Sequence, residues 1–263
     1  MKLSIITVNL NNKNGLQKTI DSVISQTFKD FEWIVIDGGS SDGSKELIEK
    51  YSDYISYWVS EPDRGIYNAM NKGIRIAHGE YLQFLNSGDS LYSHDALSIF
   101  QNNSLTEDII LGNIISDGKI VRGIGSRNNI TLLDFYYSSV LHPSSYSKRD
   151  LFERYGYFDE TLKICSDWKF FILAMILHNA SVRYIDKVLV NFDSSGISSK
   201  VENVQKIRKE KTKVLNELIP KRILSNYAFL QNESIICRYR LTKYCYALLL
   251  KVASIFNREN DIL

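Results

Sequence analysis

The first third of the chain alternates short apolar runs with segments of helical periodicity, and this rhythm restricts the fold more than any other feature. Short apolar runs bounded by turn residues are typical of buried strands. The runs are Leu3–Val8, Trp33–Ile36, Ile55–Val59 and Tyr81–Leu85. Strands that alternate with helices form a mostly parallel sheet with right-handed crossovers. We therefore predict an α/β fold with a Rossmann-like, mostly parallel sheet flanked by helices.

Each of these four predicted strands ends in a turn of small polar and acidic residues. The turns occupy residues 9–14, 37–43, 61–65 and 86–90. In open α/β sheets the ligand lies outside the carboxyl ends of the strands, so these polar residues meet where a ligand would bind. A carboxylate in such a turn can hold a hard cation beside a phosphate. The sequence therefore predicts a site for a phosphorylated ligand at this edge.

The middle of the chain is less regular. Its apolar runs predict a hairpin around Asp117-Gly118, then a helix and two further short strands. These elements are Ile109–Ile115 with Lys119–Ile124, then Asp167–Leu177, then Val182–Ile185 with Val188–Phe192.

The charge of the chain is small overall and uneven along its length. The net charge of +2 gives no broad electrostatic surface for nucleic acid. Residues 200–263 carry 13 Lys/Arg against 6 Asp/Glu, a net charge of +7, which leaves −5 for residues 1–199. We therefore predict one domain over residues 1–199, followed by a basic helical C-terminal extension over residues 200–263.

The cysteines and the N-terminus indicate a cytoplasmic protein. Cys165, Cys237 and Cys245 have no metal-ligand spacing, and no signal peptide begins the chain. A reducing compartment accounts for both observations. A membrane-spanning helix needs about 20 apolar residues, and the chain has no such run.

The segment Ile235–Phe256 leaves two interpretations open. It is apolar, and it places Arg240, Lys243 and Lys251 near one face at helical spacing. It is either a helical cap packed on the preceding domain or a basic amphipathic surface that rests on anionic lipid. The second interpretation predicts peripheral contact with the inner face of the plasma membrane.

A series of short motifs runs in order from the N-terminus to Trp168. The motifs are Ser4-Ile5-Ile6-Thr7-Val8-Asn9, Ile36-Asp37-Gly38-Gly39-Ser40-Ser41-Asp42-Gly43, Glu61-Pro62-Asp63, Gly65-Ile66-Tyr67-Asn68, Leu85-Asn86-Ser87-Gly88-Asp89, His142, Tyr157-Phe158-Asp159 and Cys165-Ser166-Asp167-Trp168. This series resembles the family-two glycosyltransferases, which are inverting enzymes with a GT-A fold, and among them the bacterial surface-polysaccharide enzymes. The resemblance covers about residues 3–195 and implies a GT-A catalytic domain.

The resemblance also implies which residues hold the nucleotide. They are Thr7, Asn9, Asp37, Gly38, Asp63 and Asn68. Asp37 would receive the base or the ribose, because a uracil edge needs both donors and acceptors. Two alternatives stay open from the residues themselves. Asp37 could cap the helix that begins near Gly43, and Asp63 could be a plain turn residue after Pro62.

Asn86-Ser87-Gly88-Asp89 occupies the place of the family's D-x-D motif, whose last acidic residue holds Mn²⁺ or Mg²⁺. The resemblance therefore implies that Asp89 is the metal ligand. Such a cation stabilises the charge that forms on the departing nucleoside diphosphate. Asn86 and Gly88 replace carboxylates found in many relatives, so substrate phosphates and water would complete the shell. The alternative is a helix N-cap at Asp89 or Ser90.

By the same resemblance, Asp167 is the general base that takes the proton from the acceptor hydroxyl. Inversion needs one in-line attack, so a single carboxylate suffices. An N-cap at the start of a helix is the alternative role for Asp167. Asn86, His142 and Trp168 are assigned to the acceptor or donor-sugar site. Cys165 lies beside the base but has no histidine partner nearby in sequence, which argues against a covalent role.

Together these motifs imply an enzyme that moves one sugar from a nucleoside-diphosphate donor, a UDP-sugar in our prediction, to a hydroxyl of a glycan or lipid-linked oligosaccharide. No Gln-x-x-Arg-Trp motif follows Trp168, which argues against a processive synthase. Two alternatives stay open. One is a sugar nucleotidyltransferase, and the other is a non-catalytic, membrane-docked protein that binds nucleotide sugars.

Overall fold

The structure, a computed structural model, describes residues 1–101, 105–126 and 129–226. The chain divides into two compact units, Met1–Thr212 and Lys213–Leu263. The predicted boundary between residues 199 and 200 stays a prediction. The predicted basic surface of Ile235–Phe256 lies outside the described residues. In the part that is described, no helix is both long enough and apolar enough to cross a membrane.

The first unit is built on one twisted sheet, which has nine strands within the described residues. The strands are β1 Leu3–Asn9, β2 Phe31–Asp37, β3 Tyr57–Ser60, β4 Tyr81–Phe84, β5 Ser90–Leu91, β6 Ile109–Ser116, β7 Lys119–Val121, β8 Ser145–Lys148 and β9 Val182–Asn191. Their order in the sheet is β3-β2-β1-β4-β8-β6-β9-β5, and β7 pairs with β6. Every residue of β1 is buried, as expected for a central strand with helices on both faces.

Seven α-helices flank the strands in the described part of the chain. They are α1 Lys13–Ile24, α2 Ser44–Lys50, α3 Ile66–Ile76, α4 Leu132–Tyr137, α5 Asp150–Tyr155, α6 Ser166–Phe171 and α7 Val204–Leu218. Helix α1 begins where the Asn12 side chain accepts a hydrogen bond from the Gly15 amide. Helix α3 begins after Gly65, whose φ of 123° favours glycine.

The predicted α/β fold is confirmed, and its parallel part lies in the first four strands. Strands β3, β2, β1 and β4 pair in parallel. The register places Asn9 opposite Asp37 and Asp37 opposite Ser60. Strands β1, β2 and β3 therefore end at one level, and β4 ends opposite Ile6, three residues before the end of β1. The polar turns that follow these strands meet at one edge of the sheet. The second half of the sheet mixes parallel and antiparallel pairs.

Several predicted elements differ from the structure, and β7 ends at Val121 although the sequence predicts this strand to Ile124. The two short strands predicted on either side of Asp186 are one strand, β9, because Asp186 stays in the sheet and accepts a hydrogen bond from Asn113 Nδ2 (2.8 Å). Register shifts around Asn113 accommodate this polar stretch. The helix predicted over Asp167–Leu177 is α6 continued by a π-helical segment, Ile172–Leu177.

Candidate functional site

Asp37 ties together the turns that follow β1, β2 and β3. Its carboxylate is fully buried. Oδ1 accepts hydrogen bonds from Asn9 Nδ2 (2.7 Å) and Ser40 Oγ (2.6 Å), and Oδ2 accepts from the Ser40 amide (2.9 Å) and Ser60 Oγ (2.6 Å). Burial alone would raise the pKa of Asp37, but these bonds outweigh it and hold the pKa below its ordinary value. Because a carboxylate has about four acceptor sites, Asp37 is saturated and fixes the turns.

The alternative that Asp37 caps the next helix is wrong. Helix α2 begins at Ser44, and Gly43 occupies the cap position. The carboxylate that accepts from the Ser44 amide is Asp42 Oδ1 (3.0 Å). Asp37 is therefore free of any helix-capping role and belongs to the turn network alone.

Asp63 combines a turn role with a place in a cavity. Its Oδ1 accepts from the Gly65 amide (2.8 Å), the geometry expected of a turn residue after Pro62. Its Oδ2 lies against the Cα of Gly38, where a Cβ would collide with it and with the Leu10 side chain. Gly38 therefore has to be glycine for this approach to exist.

Three of the polar turns and the loop after β9 line a cavity of about 350 Å³, which we name the Asp89 cavity. Its polar side chains include Asn9, Asp63, Asn86, Asp89 and Asp193. The Oδ1 atoms of Asn9 and Asn86 are buried and have no hydrogen-bond partner among the described residues. A buried acceptor without a donor is costly, so these two atoms favour a ligand that donates hydrogen bonds.

Asp89 and Asp193 bring two carboxylates together in this cavity. Asp89 is 4% exposed, and its Oδ1 accepts a hydrogen bond from the Asp193 amide (2.9 Å). Burial raises the pKa of Asp89 to about 7, and the charge of Asp193 acts in the same direction. The Asp193 carboxylate lies against the Cα of Gly88, whose φ is +107°. Among the described residues that line the cavity there is no Lys, Arg or His to supply an opposite charge.

The donor set of this pair fits a hard divalent cation. Carboxylate oxygens are the ligands that Mg²⁺ and Mn²⁺ prefer, and a cation would supply the missing charge. Across the described ranges, no three His, Cys, Asp or Glu side chains are grouped for metal binding. Ligand phosphates and water would therefore have to complete the shell. The helix-cap alternative for Asp89 and Ser90 is wrong, because strand β5 begins at Ser90.

A second cavity of about 340 Å³ adjoins the first, and we name it the Asp167 cavity. Ile66, Asn86 and Phe192 line both cavities. The second one is also lined by Asp167, His142, Trp168, Lys163, Lys211 and a largely apolar remainder. The structure therefore brings Asp89 and Asp167, which are far apart in sequence, to adjoining parts of one cleft.

Two side chains of the cleft lie close to the Asp167 carboxylate. The Tyr67 hydroxyl lies 2.7 Å from Asp167 Oδ1 and 2.6 Å from the Ile164 carbonyl, and its single proton can be donated to either. His142 Nδ1 lies 3.6 Å from Asp167 Oδ2. Helix α6 begins at Ser166, one residue before Asp167, so the N-cap alternative for Asp167 is wrong.

The protonation of these two neighbours follows from their burial. Burial and the charge of Asp167 raise the pKa of Tyr67 well above its ordinary value, so its hydroxyl stays a donor. Burial lowers the pKa of His142 although Asp167 opposes the shift, so the imidazole is neutral near pH 7. The rings of Phe84 and Phe158 pack around His142 at centroid distances of 5.0 and 5.7 Å. His142 is therefore an uncharged wall of the cavity.

Helix α7 supports the turn that precedes α6. The Glu210 carboxylate accepts hydrogen bonds from three consecutive amides, those of Lys163 (2.9 Å), Ile164 (2.9 Å) and Cys165 (3.0 Å). Burial, with the charges of Asp167 and Glu210, raises the pKa of the Cys165 thiol to about 12. A thiol with this pKa is a poor nucleophile, in agreement with the argument against a covalent role.

The same helix reaches Trp168. Lys211 Nζ lies 4.7 Å from the centroid of the Trp168 ring. Trp168 is 3% exposed, and its Nε1 has no hydrogen-bond partner among the residues that the structure describes. The cavity wall around Asp167 is therefore made partly by α7, a helix outside the predicted 1–199 domain.

Four residues predicted to hold the nucleotide line neither cavity: Thr7, Asp37, Gly38 and Asn68. Thr7 is fully buried, and its Oγ1 accepts from Trp33 Nε1 (3.0 Å). Asn68 Nδ2 donates to Glu160 Oε2 (3.0 Å). The side chains of Thr7 and Asn68 thus serve the fold, whereas Asp37 and Gly38 shape the turns beside the cleft.

Four residues in or beside the cleft are not predicted from the sequence: Tyr67, Asp193, Lys211 and Glu210, the last of which supports the turn before α6. Tyr67 precedes Asn68 in the motif Gly65-Ile66-Tyr67-Asn68, in which only Asn68 is predicted as a site residue. Asp193 follows β9 in a polar turn, so the rule used for the first four strands would have found it. Glu210 and Lys211 carry no local signal, because a charged helix is usually a solvated one.

Comparison with known proteins agrees with this geometry. The family model described as "Glycosyl transferase family 2" matches residues 4–178. A PGL/p-HBAD biosynthesis glycosyltransferase of Mycobacterium bovis (strain BCG / Pasteur 1173P2) is 29% identical over 199 residues, which cover 73% of this chain and 77% of that protein.

Solved structures show the same fold. TarS of S. aureus superposes with a TM-score of 0.63 at 24% identity, covering 73% of this chain and 36% of TarS. The mannosyltransferase PcManGT from Pyrobaculum calidifontis superposes with a TM-score of 0.60 at 14% identity, covering 92% of this chain and 82% of PcManGT. The chain spans only about a third of TarS, so that likeness concerns the fold. With the family match over more than half of its length, the chain belongs to glycosyl transferase family 2.

Proposed function

We propose that the protein is an inverting glycosyltransferase that moves a single sugar from a UDP-sugar to a hydroxyl of a glycan or lipid-linked oligosaccharide. One observation carries the proposal: the Asp89 cavity and the Asp167 cavity adjoin and share Ile66, Asn86 and Phe192. A carboxylate pair for a cation-bound diphosphate thus stands beside a separate carboxylate that faces a largely apolar cavity. Transfer between two substrates needs this division of the cleft.

The donor belongs to the Asp89 cavity in this proposal. Asn9 Oδ1 lacks a donor, and Asp63 presents a second acceptor group, so a base or ribose that donates hydrogen bonds suits this wall. TarS 1–349 has been solved in complex with UDP-GlcNAc, which supports a UDP-linked donor. Asp37 acts indirectly, because it holds Asn9 in orientation through its Nδ2.

Asp89 and Asp193 are the residues proposed to hold Mn²⁺ or Mg²⁺. PcManGT has been solved with GDP-Man and Mn²⁺, which supports metal use by this fold. When bound, the cation supplies charge stabilisation to the departing nucleoside diphosphate. The buried Asp89 carboxylate would bind it in the deprotonated form, so metal binding releases a proton at neutral pH.

Asp167 is the proposed general base. Its Oδ2 takes the proton of the acceptor hydroxyl while the oxygen attacks the donor carbon from the face opposite the leaving group. Tyr67 holds Oδ1 at 2.7 Å and so fixes the carboxylate plane. The neutral His142 beside Oδ2 adds no positive charge at that oxygen. The buried rings of Phe84 and Phe158 pack against His142 and fix its position beside this oxygen.

The acceptor proposal rests on the relatives. TarP of Staphylococcus aureus (strain N315), 31% identical over 161 residues, carries the description poly(ribitol-phosphate) beta-N-acetylglucosaminyltransferase, and 56% of this chain aligns with it. That description and the PGL/p-HBAD biosynthesis name of the mycobacterial relative support a role in surface-glycan assembly. A cytoplasmic location stays a prediction. Contact of the basic C-terminal segment with the inner leaflet stays a prediction.

Thermal unfolding with and without nucleotides, followed by a transfer assay, tests the proposal. UDP should raise the unfolding temperature more than GDP, dTDP or CMP, and Mn²⁺ should enlarge the shift. Asp167→Asn should keep this UDP response and lose transfer by at least about 100-fold, the usual range for a general base. The matched control, Asp53→Asn, changes an exposed carboxylate and should behave as wild type.

Two results would contradict the proposal. Full transfer by Asp167→Asn would remove this residue as the base. Release of pyrophosphate from UTP and a sugar 1-phosphate, with no release of UDP from a UDP-sugar and an acceptor, would identify a nucleotidyltransferase.

A further inference from the structure

Lys211 is a partly buried cation of the Asp167 cavity that has no ion-pair partner among the described residues. It lines the cavity from α7, and its Nζ lies 4.7 Å from the Trp168 ring centroid. Among the described residues, no carboxylate forms an ion pair with it, although Asp167 lies in the same cavity. Burial lowers the pKa of Lys211, which shows that its surroundings disfavour the charge.

The other groups of this cavity do not repair the imbalance. Its charged lining residues are Lys163, Asp167 and Lys211, and burial holds His142 neutral. Asp167 is engaged by Tyr67 and faces His142. Two positive charges thus face one negative charge in a largely apolar cavity of about 340 Å³.

The position of Lys211 also separates it from the nucleotide. It lines the Asp167 cavity and not the Asp89 cavity, where the carboxylate pair lies. Its Nζ lies over the Trp168 ring, so the ammonium stands at an aromatic wall of the cavity. A sugar in this cavity would have its substituents within reach of Nζ.

We propose that the Asp167 cavity takes a sugar or polyol acceptor that carries an anionic group, a carboxylate or a phosphate, and that Lys211 binds this group. Lys211 is thus a specificity-determining residue supplied by α7. The role of this ligand as the acceptor rests on the proposed function, whereas the binding of an anionic sugar does not.

Ligand-observed NMR titrations test this without turnover. The probes are glucuronate, glucose 6-phosphate and neutral glucose, each added to the full-length protein with UDP and Mg²⁺ in excess. The UDP keeps the phosphate probe from reporting on the Asp89 cavity. The two anions distinguish a carboxylate ligand from a phosphate ligand. We expect at least one of them to bind more tightly than glucose, and less tightly as salt is added.

Variants identify the residue responsible. Lys211→Gln should weaken binding of the preferred anion about tenfold, the loss of one charge-assisted hydrogen bond, and leave glucose binding unchanged. Lys211→Arg keeps the charge and the stacking on Trp168, so it should retain the preference. Lys209→Gln is the matched control on an exposed position of the same helix. Lys211→Met keeps an apolar stem of similar length and replaces Lys211→Gln if that variant unfolds.

Four results would overturn the proposal. The wild-type protein could bind neither anion better than glucose, or Lys211→Gln could keep the preference. Lys211→Gln could also weaken UDP binding, which would show that Lys211 serves the donor. It could instead shift the pH profile of transfer with unchanged selectivity, which would show that Lys211 acts on Asp167. Anion binding that depends on Lys211 without any sugar transfer would refute the proposed function and leave this site in place.

Discussion

At the scale of single residues, Asp89 is the group whose environment most favours a bound cation. It is almost fully buried, accepts one amide hydrogen bond and faces a second carboxylate. Burial of an unpaired charge is among the most costly features that a folded protein carries. Because the pKa of Asp89 is raised to about 7, the site without metal holds a proton at pH values where an exposed aspartate is ionised.

The sign of the pH dependence follows. Between the unfolded pKa of about 4 and the folded pKa of about 7, the folded protein retains a proton that the unfolded chain has lost. The metal-free protein therefore loses stability as the pH rises through this window, and the loss is complete above it. Asp89→Asn removes the ionisation and should raise the unfolding temperature of the metal-free protein at about pH 8, with no gain below about pH 4.

Calorimetry in EDTA at both pH values checks this, with Asp53→Asn as the control. Mn²⁺ should then stabilise the wild-type protein and not Asp89→Asn. A Mn²⁺ response of equal size in both proteins would show that the cation binds elsewhere.

Tyr67 provides a second prediction for a single residue. Tyr67→Phe keeps the buried ring and removes the hydroxyl that holds Asp167 Oδ1. We expect transfer to slow about tenfold, because the base loses its fixed orientation, while the KM for the donor stays unchanged. Steady-state kinetics with Tyr57→Phe, an exposed tyrosine, as the control would measure this. A raised donor KM with unchanged turnover would contradict the positioning role.

At the scale of elements, the first four strands were predictable and the site-forming part of the second half was not. Buried runs such as Trp33–Ile36 are locally distinct, and this run lies within β2 of the structure. The third strand begins two residues later than predicted, because Ile55 follows a short 3-10 turn at Ser52–Tyr54. The continuous β9 depends on Asn113, a residue distant in sequence, so no local pattern contains it.

Helix α7 shows the same limit and yields a prediction at this scale. Glu210 on this helix accepts three amide hydrogen bonds from the turn before α6. Glutamine at this position has one acceptor oxygen, and its NH2 group would face the backbone amides that this oxygen does not reach. Glu210→Gln should cost about 1–3 kcal/mol of unfolding free energy, and transfer should fall because α6 positions Asp167. Thermal unfolding and transfer rates, with the exposed Glu202→Gln as the control, would measure both effects. Unchanged values for both would show that α7 does not support this turn.

At the scale of the whole molecule, the two halves of the cleft depend on different parts of the chain. Every residue that lines the Asp89 cavity precedes Lys200, whereas the Asp167 cavity includes Ile207 and Lys211. The predicted catalytic domain, residues 1–199, therefore includes the Asp89 and Asp193 carboxylates and only part of the Asp167 cavity. Sequence periodicity could not reveal this, because a charged helix shows no sign of the wall that it covers.

A shortened chain separates these contributions. The chain that ends after Ser199 should still respond to UDP and Mn²⁺ in thermal unfolding, and should transfer sugar far more slowly. The chain that ends after Asn226 is the matched comparison, since it keeps α7. Equal transfer rates for the two would show that residues 1–199 form a complete catalytic domain.

The close approach of Asp193 to Gly88 couples two positions that lie in different loops. Any side chain at residue 88 would enter the volume of the Asp193 carboxylate, so the protein can carry an acid at one of these positions but not at both. A hydrogen bond from the Asp193 backbone amide to Asp89 Oδ1, which joins residues 104 positions apart in sequence, keeps Asp193 in place. In homologues that retain an acidic residue where this chain has Gly88, the position of Asp193 should therefore hold a smaller or uncharged residue. A search for two acids within one short motif would overlook proteins that follow the arrangement seen here.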